Sequence, residues 1–246
     1  MAAATAIYLA PICPFAHRAW MALELLQQPY TLLEVDLTAK SADFLAAYPK
    51  AVGAAQAPGA PAKVPVIRDA VFPEGLAESA VISGYLVDTA AAAAGESELA
   101  TFMLHPTPAQ RARAQIITEQ IGGAMIKHFY ALLSAQEAAA QEAASGELLG
   151  ACAALGEAAA AAGGAGPFIL GDRPSLCDVL VYPWPARFGA LAHWRGFAVP
   201  REPAYARFHA WADAMAALPG VTRTLRSDAF YADGYASYAT GAKKPA

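Results

Sequence analysis

Charge is scarce in this chain: Asp, Glu, Lys and Arg make up 15% of its 246 residues, and 21 acidic side chains against 17 basic ones leave a formal net charge of −4. That excludes the basic stripe with which proteins hold nucleic acid or an anionic membrane surface, and it points to a small partner. Long apolar runs are missing as well. Hydrophobic residues reach 57%, but alanine supplies much of that, and no stretch approaches the roughly 20 consecutive apolar residues that cross a bilayer. No stable membrane insertion is expected. Cysteine is rarer still: Cys13, Cys152 and Cys177 form an odd set without metal-like spacing. This argues against a disulfide framework or a metal site and fits a reducing, cytoplasmic compartment. Met1 to Thr5 carry neither a basic n-region nor an Arg- and Ser-rich presequence, so no export or transit peptide is expected there.

What is present falls into two parts. Thr5–Leu9 and Tyr30–Asp36 have strand composition, and Pro14 to Gln27 between them repeats apolar residues at helical spacing through Trp20, Leu23 and Leu26. That is a β-α-β unit with a parallel pair. Ser41–Tyr48 reads as a short helix and residues 51–62, rich in Ala, Gly and Pro, as a loop. Val64–Arg68 reads as a strand whose Pro65 cannot donate to a ladder and so demands an edge or a cis turn. A strand near Val71 and a helix over residues 77–93 complete β-α-β-α-β-β-α, a thioredoxin-like order. Beyond Gly95 strand signals stop. Helices are expected over 108–135, continuing through or breaking near the alanine-rich stretch to Ser145, then over 147–162, 202–217 and 220–226, and Ser175 with Asp178 spells a capping box before an apolar helix. The chain is therefore read as α/β plus all-α: residues 1–94 a thioredoxin-like domain, 95–106 a linker, 107–246 an all-helical domain.

Cys13 stands in Ile12-Cys13-Pro14-Phe15-Ala16-His17-Arg18, between the first strand and the first helix. A thiol at a helix N-terminus faces unpaired N–H groups and the positive end of the helix dipole, both of which favour the thiolate. Pro14 suits the first turn, where its missing N–H costs nothing. Ala16 stands where a dithiol motif has its second cysteine, so a resolving thiol must come from outside. His17 is expected to face solvent and Arg18 to be a structural ion-pair partner; Cys152 and Cys177 read as packing residues.

Four separated signals carry a family resemblance: Cys13-Pro14-Phe15; Val64-Pro65-Val66; Glu78-Ser79-Ala80-Val81-Ile82; and Ser175-Leu176-Cys177-Asp178 followed by Pro183-Trp184-Pro185-Ala186-Arg187. In this order and spacing the chain resembles a cytosolic glutathione transferase, most closely the cysteine-type omega and lambda classes, with the dehydroascorbate reductases near by. The resemblance implies glutathione as co-substrate and no metal. It implies Cys13 as catalytic nucleophile and a glutathione site built from Phe15, Lys40, Val64, Pro65, Glu78 and Ser79. There the Val64 backbone would pair with the cysteinyl unit, Ser79 and Glu78 would hold the γ-glutamyl carboxylate and ammonium, and Lys40 the glycyl carboxylate. It further implies an open second-substrate pocket facing Cys13, formed by Trp184, Arg187, Tyr231 and Tyr238, and a homodimer.

On this reading the activity is glutathione-dependent thiol transfer: deglutathionylation, or reduction of a disulfide or of dehydroascorbate. The partners are then glutathione and a small oxidised or electrophilic substrate, or glutathionylated proteins, and no nucleic acid. Two alternatives stay open, conjugation of glutathione to electrophiles and non-catalytic glutathione or ligand binding. Two departures from the omega and lambda pattern are His17 and the long 51–62 loop, which bears on the edge of the glutathione site.

Overall fold

The computed structural model describes residues 5–53, 57, 59–93, 107–161 and 166–242. The expected linker, 95–106, lies outside the described residues, as does part of the 51–62 loop. Four strands, β1 (Thr5–Leu9), β2 (Tyr30–Glu34), β3 (Val66–Arg68) and β4 (Leu76–Ala77), form one sheet in the order β2-β1-β3-β4. β1 pairs parallel with β2, from Thr5 opposite Tyr30 to Leu9 opposite Glu34, whereas β3 runs antiparallel to both β1 and β4. Parallel pairing needs a crossover, and α1 (Pro14–Leu25) supplies it. α2 (Ala42–Val52) starts on Ser41, whose hydroxyl accepts from the Phe44 amide, and α3 (Ser79–Ala93) follows β4. Ile7, Leu9, Met21, Leu23, Phe44, Ile67 and Ile82 are fully buried in this half of the core.

The strand expected near Val71 is displaced to Leu76–Ala77, because turn chemistry prevails: the Asp69 carboxylate accepts from the Val71 and Phe72 amides at 2.8 and 2.7 Å, closing a turn. Pro65 stands just outside the ladder, after a cis Val64–Pro65 bond, so β3 loses no donor.

The remaining elements of the described chain are helices, apart from an isolated bridge between Phe168 and Gly171. The helix expected over 108–135 is α4 (Pro108–Ile116), a π-helical segment (Ile117–Gly122) and α5 (Gly123–Ser134). The alanine-rich stretch and the helix expected from Glu147 merge into one 24-residue helix, α6 (Ala138–Ala161). Gly146 and Gly150 do not break it, because the buried stripe Ala144, Leu148, Ala151, Cys152, Leu155 and Ala159 runs past them at helical spacing. α7 (Leu176–Val181) is opened by the expected capping box. Asp178, fully buried, accepts from the Ser175 amide (2.7 Å) and hydroxyl (2.5 Å), the Ile169 amide (3.0 Å) and the Trp211 indole (2.7 Å). Thereafter come a 3-10 turn (Pro185–Arg187), α8 (Phe188–Arg195), α9 (Ala206–Ala217), α10 (Pro219–Thr222), α11 (Asp228–Gly234) and α12 (Ala236–Ala239). Among the described residues no helix is long and apolar enough to cross a membrane, and no cluster of three or more His, Cys, Asp or Glu could hold a metal.

Candidate active site

Cys13 caps α1. Its backbone is extended (φ −76°, ψ 118°), its N–H donates to Ala10 O at 2.9 Å, and its carbonyl accepts the His17 amide at 3.1 Å. The sulfur is partly exposed and lies 3.9 Å from the Val64 carbonyl, so strand β1 and the cis-proline loop before β3 converge on it. Burial pushes the thiol up from its ordinary value. The Ala16 and Phe15 amides at the helix start, and then the Arg187 and Arg18 guanidinium groups, pull it back only in part, so the thiol stays above its ordinary value.

On one side of Cys13 lies a cavity of about 170 Å³ lined by Phe15, Tyr48, Lys63, Val64, Pro65, Glu78 and Ser79. Five of the six residues expected around glutathione are therefore together. Lys40 is the exception: it lies in the loop before α2, outside this lining, and Lys63, directly ahead of Val64, supplies the cavity's cation instead. Glu78 is held at φ +71°, a conformation rare for a residue with a side chain, so that Ser79 can begin α3 immediately after it. Arg18 stands behind this wall. It donates to Ser79 Oγ (3.3 Å) and to Leu180 O (2.8 Å), and its guanidinium lies 4.8 Å from the Trp184 ring centre and 5.4 Å from that of Phe15. Arg18 is thus not the ion-pair partner that the sequence suggested: carbonyl, hydroxyl and ring faces take the place of a carboxylate. Burial lowers it to about 10, which leaves it charged at neutral pH.

The pocket expected from Trp184, Arg187, Tyr231 and Tyr238 is not assembled as such. Trp184, Arg187 and Tyr231 have at most 1% of their surface exposed, because the turn after α7 folds inward onto the Cys13 loop rather than outward over it. Trp184 meets Phe15 edge-on, ring centres 5.0 Å apart. Arg187 reaches across the domain junction: its Nε donates to Ile12 O (3.3 Å), Nη1 to Pro183 O (2.7 Å) and to His17 Nδ1 (3.0 Å), and Nη2 to Pro11 O (3.2 Å). Tyr231 packs under it, ring centre 4.5 Å from the guanidinium carbon. His17, expected in solvent, is 2% exposed, and its Nε2 lies 2.7 Å from Thr224 Oγ1. Residues 14–25 leave almost no solvent-facing side, since α10 covers the face that a one-helix view assigns to water.

Only Tyr238 of the four borders open space. It lines a cleft of about 640 Å³ with Ala10, Pro11, Ile12, Glu34, Val35, Asp36, Leu37, Thr38, Phe230, Gly234 and Ser237, across the Cys13 loop. Gly234 permits this approach, because a Cβ there would stand 2.3 Å from Ile12 Cδ1. Tyr130 and Tyr235 pack behind Tyr238, with ring centres 5.8 and 6.0 Å from its own. The Tyr235 hydroxyl donates to Ile12 O at 3.3 Å, accepts from Tyr130, and is pushed up to about 12 by burial. Lys63, Tyr48, Tyr130 and Tyr235 escaped sequence reasoning. For Lys63 the adjacency to Val64-Pro65 was the available signal; for the tyrosines there was none, since helix spacing alone reads them as core.

The two other cysteines are remote from this chemistry. Cys152 is fully buried in α6 with its thiol pushed up by burial, and Cys177 is 1% exposed and pushed up to about 12.

Comparison with known proteins agrees with the geometry. Residues 12–89 match the family described as Glutathione S-transferase, N-terminal domain. Glutathione transferase Omega 3C from Trametes versicolor is 26% identical, with a TM-score of 0.77 over 96% of this chain and 91% of that one. The dehydroascorbate reductase of Chlamydomonas reinhardtii is 22% identical, with a TM-score of 0.70 over 96% and 98% of the two chains. Rice GST1, solved in complex with glutathione, is 20% identical, with a TM-score of 0.73 over 98% of each. The last two likenesses speak for the fold. No curated protein matches the sequence significantly. With a match to the glutathione transferase N-terminal domain over residues 12–89, a helical second domain and an omega-class structure at 26% identity, the chain is similar to the cytosolic glutathione transferases.

Proposed function

We propose that this chain is a glutathione-dependent thiol transferase that uses Cys13 as a monothiol nucleophile. The observation that carries the reading is the position of Cys13: a thiol at a helix start, 3.9 Å from the Val64 carbonyl, beside the cavity that holds Lys63, Glu78 and Ser79. Glutathione is a zwitterion with two carboxylates and one ammonium. The cavity offers it one cation, one anion, a hydroxyl at the start of α3 and the Val64 backbone before the cis proline, which is the complementary set.

Cys13 Sγ⁻ attacks the glutathionyl sulfur of a mixed disulfide R–S–SG; the S–S bond breaks, RS⁻ leaves and takes up a proton, and Cys13–S–SG forms. A second glutathione thiolate then attacks the glutathionyl sulfur, releasing oxidised glutathione and regenerating the Cys13 thiolate. The substrate sulfur is reduced and two glutathione units end as one disulfide. With Cys152 and Cys177 buried elsewhere, no second protein thiol competes in the resolving step. The 640 Å³ cleft on the other side of Ile12 is the place for R, and its breadth suits a large disulfide or a glutathionylated protein segment.

The deciding assay compares wild type with Cys13→Ser for reduction of a glutathione mixed disulfide, reduction of dehydroascorbate and conjugation of an aromatic electrophile. Reduction is expected to fall to the uncatalysed background in the variant while circular dichroism stays unchanged. Full reductase activity in Cys13→Ser overturns the reading. Conjugation preserved or raised in the variant, with no reductase activity in wild type, makes the chain a conjugating transferase. Saturable glutathione binding without turnover of any kind makes it a binding protein.

A further inference from the structure

We infer that Arg187, held in place by His17 and Thr224, favours the thiolate form of Cys13 from behind the Cys13 loop. Arg187 is fully buried, and among the described residues no carboxylate pairs with it. Its five N–H donors go instead to neutral acceptors: the Pro11, Ile12 and Pro183 carbonyls, His17 Nδ1 and the Tyr235 hydroxyl. Two of these carbonyls belong to the residues directly before Cys13. A buried cation whose hydrogen bonds are satisfied but whose charge is not cancelled favours a nearby anion, and the thiolate of Cys13 is that anion, with Arg187 acting after the Ala16 and Phe15 amides and against burial.

The network fixes its own protonation. Guanidinium only donates, so His17 Nδ1 must carry a lone pair. A neutral imidazole then has its proton on Nε2, which donates to Thr224 Oγ1 at 2.7 Å. The single hydroxyl proton of Thr224 remains for the Val221 carbonyl, also 2.7 Å away. Each donor has one acceptor, and the other tautomer of His17 would set two donors face to face at Arg187. Thr224, which touches Arg187 only through His17, thereby helps to hold Arg187 in place. Burial, Arg187 and Arg226 all keep His17 neutral.

The other charged or titratable groups around Cys13 are Arg18 from α1, Tyr130 from α5 and Tyr235 after α11. Arg18 loses its proton only near 10 and Tyr235 near 12, and Tyr130 is pushed upward too. A titration of Cys13 reactivity from pH 7 to pH 11 therefore covers a thiol pushed up by burial and meets one other group, Arg18, which is the same in wild type and variant.

The inference rests on Cys13 being the reactive thiol, but its test needs no glutathione: iodoacetamide alkylation of Cys13 in the full-length chain, followed by intact mass across that pH range. In Arg187→Met the midpoint is expected to rise by about one pH unit, a roughly tenfold loss of thiolate below it. The rate itself should fall only about threefold, because a more basic thiolate is a better nucleophile. Arg187→Lys should recover part of the shift. Thr224→Val should move the midpoint in the same direction by less, and Thr224→Ser should leave it in place. An unchanged midpoint in a folded, merely less heat-stable Arg187→Met overturns the inference and leaves Arg187 a strut. Should Arg187→Met not fold, the Thr224 pair decides: identical midpoints for valine and serine overturn it equally. A shift as expected in a protein that reduces no disulfide leaves the inference standing and removes the thiol transferase reading.

Discussion

The two sides of Cys13 treat charge in opposite ways. On the cavity side the charges are open: Lys63 and Glu78 are exposed, and Ser79 is shared only with Arg18. On the far side they are closed, because Arg187 and His17 are buried and their donors are matched one to one. Groups left open in water lose little by waiting and gain when a ligand brings the opposite charge. Groups closed in the interior have nothing left to offer a ligand and serve by holding position. Substitutions on the open side should therefore change how well glutathione binds, and those on the closed side should change stability and the thiol.

The largest effect expected on the open side comes from Ser79, and a smaller one from Glu78. Ser79→Ala removes a hydroxyl at the start of α3, and Glu78→Ala removes the cavity's only carboxylate. A hydrogen bond to a charged group is worth about 1.5–3 kcal/mol, so Ser79→Ala should raise KM for glutathione at least about tenfold, and Glu78→Ala, at an exposed carboxylate, between about 1.5- and 5-fold. Cys13 alkylation without glutathione should not change. A change in that alkylation rate, with KM held, would erase the distinction between the two sides.

The next effect lies on the closed side and is a matter of pH. Burial, followed by Arg187 and Arg226, holds the His17 pKa well below its ordinary 6.5. Between the two values the unfolded chain binds a proton that the folded chain refuses, so stability falls as pH drops below about 6.5. The slope from one such group is at most about 1.4 kcal/mol per pH unit. His17→Gln keeps one acceptor and one donor but does not titrate. Thermal melts of the two proteins should therefore differ most at pH 8 and converge toward pH 5. Parallel melting curves across that range would show that His17 binds its proton equally in the folded and unfolded chain, against the closed network.

The same division explains what could be read from the sequence. The strand, helix and capping signals depend on neighbours in the chain, and β1, α1, the Ser41 cap and the Ser175–Asp178 box stand where local pattern puts them. So do Val64, Pro65, Glu78 and Ser79, whose loops are short and tied to the sheet. What failed depended on distant packing. His17 looks solvent-facing until Thr224, 207 positions away, is folded against it. Trp184, Arg187 and Tyr231 have pocket-like chemistry in the sequence, but the fold spends it on the domain junction. Tyr130 and Tyr235 had helix spacing in common with ordinary core residues, and only the crossing of α5 and α11 over the Cys13 loop distinguishes them.

The smallest expected effect concerns the two lysines. The family resemblance selects Lys40 for the glycyl carboxylate and the cavity selects Lys63. Lys63 is exposed, so its pairing with a carboxylate should contribute only about 0.2–1 kcal/mol and weaken as salt screens it. Lys63→Ala should then raise KM for glutathione between about 1.5- and 5-fold at low ionic strength. The difference should shrink in 0.5 M salt, with kcat unchanged, because the sulfur and its surroundings are untouched. Lys40→Ala should leave KM alone at any salt concentration. If instead Lys40→Ala carries the salt-sensitive effect, the loop before α2 closes over bound glutathione. The open side of Cys13 would then be completed by its ligand, whereas the closed side is complete without one.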